Sequence, residues 1–307
     1  MNNSKINLLI IFLICFSFTL GFLYRGTNLT YLLNLKNNLE MKIKKVIDYQ
    51  NLKNSSDICP KKISNLPENS ILIIGHAYGS HKNSDLRGNV GIAPKVYEFY
   101  LRNEDKIKSI IFSGDVLKEP SIKKWKDFYL KFKEDTEIYI APGNHDIGGK
   151  YFDSALRDIF KIVPHKNQAG LSFPFKLILN KSLFIIGDSN SEKNSLDEII
   201  SIIKAEKEFE NIYVVIHHAF PEGLRSAANA TGKHNFIKDS YFENKFKNIS
   251  NNKKIYFLYG DGGGFSYKPR YRCIKIANSY HFISGIGELP GDTIFVIHNK
   301  NLYRMEI

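Results

Sequence analysis

The apolar residues divide the chain into three stretches. Residues 6–24 hold no charged side chain and lie between Lys5 and Arg25. In the next stretch Leu32, Leu35, Leu39, Val46 and Tyr49 recur at heptad-like spacing, interrupted by Lys42. From Ser70 onward short apolar runs end in polar, often glycine-bearing turns. Residues 71–74 run into Gly75-His76-Ala77-Tyr78, residues 110–112 into Ser113-Gly114-Asp115, and residues 138–140 into Ala141-Pro142-Gly143-Asn144-His145-Asp146. Residues 213–216 run into His217-His218, and residues 255–259 into Gly260-Asp261-Gly262-Gly263-Gly264. Each run reads as a buried strand, and continuous apolar strands imply sheets covered on both faces. Further strands are expected at 183–186, 281–283, 293–297 and 302–305. Helical spacing falls between them, at 96–102, at 122–132 and at 195–209, the last with Ser195 as its expected cap. The aromatic stripe Trp125, Phe128, Tyr129 and Phe132 reads as core by its helical period. The order is α/β (α+β), with a β-rich end, no internal repeat and no low-complexity tract.

Length sets what the first stretch can do. Its 19 residues reach roughly 28 Å as a helix, close to the hydrocarbon thickness of a bilayer. It is either an uncleaved transmembrane signal anchor or a cleaved signal peptide. The small-x-small candidate Thr19-Leu20-Gly21 lies inside the apolar run, which favours the anchor. Positive charge flanks both sides, so orientation stays open. An extracytoplasmic domain is favoured by Cys59 and Cys273, which either pair in an oxidising compartment or remain two buried thiols. The expected organisation is an anchor over 1–27, a helical stalk or linker over 28–69, broken by Asn54-Ser55-Ser56-Asp57, and one domain over 70–307. The heptad stripe is too short to specify an oligomer.

Composition narrows the class. With 43% apolar and 24% charged residues the 307-residue chain is not disordered, and three cysteines are too few for a disulfide scaffold. The formal charge of +12 puts +4 on residues 1–60 and leaves +8 on the rest. Such a balance suits an anionic partner: nucleic acid, a membrane surface or a phosphorylated substrate. No run of basic and aromatic residues resembles a stacking platform, which disfavours nucleic acid.

The strand ends carry the candidate chemistry. His76, Asp115, Asn144, His145, His217 and Asp261 each follow a strand, where ligands of α/β sheets gather. Imidazole nitrogen with carboxylate and amide oxygen suits one or two divalent ions of Mn, Zn or Fe. A carboxylate such as Asp115 can bridge two such ions, the arrangement used in two-metal phosphoryl chemistry. Taken alone, Gly114-Asp115 is a common turn and Asn144-His145-Asp146 an Asx-type turn. Together, after successive strands, they carry more.

Gly114-Asp115, Gly143-Asn144-His145-Asp146 and the strand-terminal His217 resemble the central motifs of the calcineurin-like metallophosphoesterases. The resemblance spans about 71–307. It implies a four-layer sandwich of two mixed β-sheets flanked by helices, and a dinuclear metal centre that hydrolyses phosphate mono- or diesters. Asp115 then matches the bridging ligand, and Asn144 and His217 match metal ligands, with His218 as the weaker substitute for His217. His145 matches the family's leaving-group histidine, and Asp146 the residue that orients it. Two motifs depart from the pattern. His76 and Tyr78 stand where the family has Asp-x-His, and Gly260-Asp261-Gly262-Gly263 stands where it has Gly-His-x-His. His76 and Asp261 remain metal-ligand types, Tyr78 is either a ligand or a hydrogen-bonding neighbour, and Gly263 is neither. The expected function is therefore a membrane-anchored, metal-dependent phosphoesterase. The alternative is a binding module that has kept the fold and lost catalysis, recognising a phosphorylated envelope glycan, lipid or protein. Substrate choice is expected in polar loops that carry Arg87, Arg157, Lys166, Arg225 and Lys233.

Overall fold

A computed structural model describes residues 56–80, 91–147, 172–190, 193–221, 224, 237–249, 252–264 and 271–307. The chain divides into Met1–Lys53 and Asn54–Ile307, and all described residues belong to the second unit. The expected anchor and heptad stripe lie outside them. Among the described residues no helix is long and apolar enough to cross a membrane.

The apolar runs form strands that belong to two six-stranded mixed sheets. Sheet I has the order β1-β12-β11-β2-β3-β4. Its strands are β1 (Lys61–Lys62), β2 (Ser70–Ile74), β3 (Ile107–Ser113), β4 (Glu137–Ala141), β11 (Thr293–His298) and β12 (Asn301–Glu306). The trio β2, β3 and β4 runs parallel, so their carboxyl ends share one edge. Sheet II has the order β5-β6-β7-β8-β10-β9. Its strands are β5 (Phe175–Leu179), β6 (Ser182–Ile186), β7 (Asn211–Ile216), β8 (Lys254–Tyr259), β9 (Arg272–Ile276) and β10 (Ser279–Ile283). Here β6, β7, β8 and β10 run parallel.

Alternation of side chains along the strands sorts the interior into three apolar layers. Leu72, Ile110, Phe112 and Ile140 face α1 (Pro94–Asn103) and α2 (Ile122–Tyr129). Ile71, Ile73 and Ile111 face Phe184, Tyr213 and Val215 between the sheets. Ile185, Val214, Ile216 and Phe257 face α4 (Lys193–Ala205) and α5 (Asp239–Phe246). The result is helix, sheet, sheet, helix.

Trp125, Phe128 and Tyr129 are buried in the first layer, as their period predicts. Phe132 packs with them but lies past the end of α2, which is capped at its start by the Ser121 hydroxyl accepting from Lys124 N–H. Helix α4 begins at Lys193, two residues before its expected cap. Residues 56–69, expected to close the linker, contribute to the unit. Ser56–Ile58 makes a 3-10 turn, β1 pairs in parallel with β12, and Cys59 forms a disulfide with Cys273 on β9, Cα–Cα 5.4 Å. Three strands escaped the sequence pattern, as did helix α5. β1 is two residues long, and β5 and β9 are edge strands that interleave exposed and buried positions.

Candidate metal centre

Glycines bring the carboxyl ends of the two sheets together. A Cβ on Gly260, at the end of β8, would lie 1.7 Å from the Ser113 carbonyl oxygen at the end of β3. A Cβ on Gly114 would lie 2.4 Å from the His217 ring, and Gly114 has φ +83°, a region other residues rarely adopt. Only glycine lets β3 approach β7 and β8 this closely. His76 (φ 51°) and Asp115 (φ 53°) also hold left-handed backbone. Both are tied there, with His76 N–H donating to Gly114 O at 3.0 Å and Tyr78 N–H to Asp115 O at 3.2 Å.

This convergence places Asp115 between two buried imidazoles. Its Oδ2 lies 3.3 Å from His217 Nε2 and 3.8 Å from His76 Nε2. In each ring Nδ1 is engaged by a backbone carbonyl, Ser113 O for His217 and Ile286 O for His76, both at 2.9 Å. A carbonyl only accepts, so Nδ1 carries the hydrogen in both rings, and in the neutral form Nε2 presents its lone pair towards the carboxylate. His217 Nε2 is buried and makes no hydrogen bond. Two lone pairs aimed at one another need a positive charge between them, which is either a proton or a metal ion. Without metal, burial opposes charge on His217, but Asp115 outweighs it and raises the ring to about 9. Burial would raise Asp115, yet His217 overcomes it and holds the carboxyl well below the usual range. His76, half an ångström farther off, is held below its ordinary value by burial.

The donor set fits a divalent transition metal. The orphaned His217 Nε2, with Nδ1 fixed on a carbonyl, is the arrangement of a metal-ligating histidine. The 3.3 Å separation is what two ligands with bonds of about 2.0–2.2 Å subtend. Among the described residues no three His, Cys, Asp or Glu side chains form a group that could hold a metal ion. Asn144 opens α3 (Asn144–Ile147) and is the amide of the chain's motif. Its Oδ1 accepts from His218 Nε2 at 2.9 Å, and the His218 ring lies 4.5 Å from that of His217. Asp261 follows β8 with its N–H on His217 O, and its charge acts on both His76 and His217. Tyr78 is sealed from solvent between the rings of His76 (4.3 Å) and His145 (5.1 Å).

The sequence profile of the calcineurin-like phosphoesterases matches residues 56–239, more than half of the chain. The chain belongs to that family. Its first and last motifs are variants, with His76 and Tyr78 in one and Asp261 and Gly263 in the other. Among solved structures it is similar to Vps29 of Chaetomium thermophilum, 11% identical over 78% of this chain and 89% of that one, with a TM-score of 0.35. It is also similar to a conserved uncharacterized protein from Streptococcus pneumoniae described as a predicted phosphoesterase, 10% identical over 79% and 100%, TM-score 0.30. No curated protein matches it significantly.

One motif residue of this chain is engaged across the fold. The Asp146 side chain is held by backbone groups. Its carboxylate accepts from the backbone N–H groups of Val116 (2.9 Å), Leu117 (3.2 Å) and Gly143 (2.9 Å), so it staples the Asp115 turn to the Asn144 turn. It is sealed from solvent, and burial with Asp115 nearby raises it to about 7, against the pull of those N–H donors. His145 donates Nδ1–H to Lys118 O at 3.1 Å, and its own N–H goes to Asp115 Oδ1 at 3.1 Å.

The pattern reading also missed a sixth strand end. After β6 comes Gly187-Asp188-Ser189-Asn190, and Ser189 bonds His218 while Asn190 Nδ2 donates to Pro142 O at 3.1 Å. The signal was present, since a strand followed by Gly-Asp repeats the form of Gly114-Asp115.

Proposed function

We propose that this chain is a metal-dependent phosphoesterase acting on a phosphate mono- or diester. The observation that carries the reading is the buried Nε2 of His217, which makes no hydrogen bond and faces Asp115 Oδ2 at 3.3 Å. Asp115, His217 and Asn144 would hold the ion, with His76 and Asp261 alongside. A divalent ion there supplies charge that offsets developing negative charge on phosphate oxygens and makes water a better nucleophile. His145 is only partly buried, at the rim. Its Nδ1–H is committed to Lys118 O, so any proton it exchanges with the leaving oxygen moves at Nε2. Asp146 keeps the two turns in register.

The test is hydrolysis of activated aryl phosphate mono- and diesters by the purified chain with Mn²⁺ or Zn²⁺. Turnover is expected, lost with chelator and reduced about 10²-fold or more in His145→Ala. No turnover with any divalent metal, or unchanged turnover in His145→Ala, overturns the reading.

A second reading has its own support. Tyr78 is packed fully into the interior beside His76, and Gly263 offers no side chain where the family has an imidazole. A fold that has kept the cleft but lost ions would bind a phosphorylated glycan, lipid or protein without cleaving it. A chain that purifies without transition metal and gains no melting temperature on adding it favours this reading.

For location, we infer a single-pass membrane protein with the domain outside the cytoplasm. Support comes from the apolar residues 6–24 and from the Cys59–Cys273 disulfide, a bond that persists in oxidising compartments. Free thiols at both positions in protein isolated under thiol-blocking conditions overturn it.

A further inference from the structure

We propose that Ser189 and His218 are positioning residues that decide which face of the Asn144 amide looks into the site. The proposal rests on the metal-dependent reading and deepens it. An asparagine side chain ends in an oxygen and an NH₂ of nearly the same shape, yet a cation is bound only by the oxygen. Asn144 is exposed at the start of a four-residue helix, where packing does not choose between the two.

His218 makes the choice. Its Nε2 is 2.9 Å from Asn144 Oδ1. An amide oxygen cannot donate, so the imidazole does, and Nε2 carries the hydrogen. In the neutral ring Nδ1 then holds the lone pair. Ser189 Oγ lies 3.2 Å from that nitrogen and already accepts from His218 N–H at 2.9 Å. A ring nitrogen without a hydrogen can only accept, so the serine hydroxyl donates to Nδ1. The polarity runs one way, from Ser189 O–H to Nδ1 and from Nε2–H to Asn144 Oδ1. Ser189 and His218 are both about 3% exposed, so water does not compete for the bonds between them. The neighbouring Asn190, itself held by Asp188 Oδ1 at 2.7 Å, grips Pro142 O on the other side of the same turn. The end of β6 thus holds both shoulders of Pro142–Gly143–Asn144. With one lone pair of Oδ1 on His218, the second is left for a cation, and the amide NH₂ is turned away from it.

The experiment has two arms on the full chain. In the first, ¹⁵N-labelled histidine in chelator-treated protein at neutral pH reports the ring nitrogens of His218. The Nε2–H tautomer is expected, with a mixture of tautomers in Ser189→Ala. An Nδ1–H tautomer or an imidazolium in the unmodified chain overturns the proposal. In the second, calorimetric titration with Mn²⁺ is expected to show about 10-fold or greater loss of affinity in His218→Ala. His218→Gln, whose amide N–H can replace Nε2–H, should recover most of it, at an unchanged melting temperature without metal. Equal affinity in His218→Ala and the unmodified chain overturns the proposal. If the unmodified chain binds no Mn²⁺, the metal-dependent reading fails, and the ring-nitrogen signals alone decide the positioning.

Discussion

His217 follows β7 and His281 lies on β10, two strands away in sheet II, and both are sealed from solvent. They are otherwise opposites. His281 sits in the apolar layer beside α5, stacked on Phe257 at 4.7 Å and edge-on to Phe242 at 4.9 Å. Both of its nitrogens are satisfied, by Tyr259 OH at 2.9 Å and Ser279 Oγ at 2.8 Å, and burial lowers it to about 3. His217 has one nitrogen on a carbonyl and the other unpaired beside a carboxylate, and it is raised to about 9. Burial is common to the two, so burial does not make a site. What distinguishes His217 is an unsatisfied nitrogen placed where a positive charge is wanted.

The comparison can be broken at the backbone. Gly260→Ala would drive a methyl group into the Ser113 carbonyl and part β8 from β3. A loss of about 3 kcal/mol or more in urea unfolding is expected, because neither backbone can give way. Gly291→Ala is the control. Nothing lies within 4 Å of its Cβ, so only the strain of φ +87° remains, about 1–2 kcal/mol. Equal losses at the two positions would refute the claim that strand-end contact, rather than backbone conformation, builds the site.

A second test separates the two imidazoles by pH. His281 has an ordinary value of 6.5 and about 3 when folded, so between these the unfolded chain binds the extra proton. Stability should fall on the acid side by about 1.4 kcal/mol per pH unit below 6.5. His281→Gln should flatten that limb relative to the unmodified chain, and an unchanged limb would show that another group titrates there.

The other pH limb lies on the alkaline side, in chelator-treated protein. His217 is raised when folded, so its contribution is full below 6.5 and is lost as pH rises through about 9. His217→Gln should remove this decline, and Mn²⁺ should remove it in the unmodified chain, since a metal takes the ring without its proton. A decline that persists in His217→Gln would assign it elsewhere.

Much of the fold was legible because its strands are continuous apolar runs closed by turn residues, and a run such as 71–74 has no other stable place than between covered faces. β5 and β9 were hidden for the converse reason: as edge strands they mix exposed and buried positions, and the exposed face carries residues such as Lys176 and Lys275. In the site, the motif residues His76, Asp115, Asn144, His217 and Asp261 could be named from their order after strands. Asp146 was expected to orient His145 from its position in the resembled motif. Its carboxylate reached Val116 and Leu117, 30 and 29 residues away.

By itself, then, the sequence determined the element types, the order of the strand ends and the chemical kinds gathered there, since all three follow from local pattern and composition. Tertiary structure alone decided which nitrogen of each imidazole is spent. His76 gives Nδ1 to a carbonyl 210 positions away and His217 to one 104 away. Those carbonyls exist at the right place only once the two sheets have met, and no spacing along the chain encodes a hydrogen-bond direction across them.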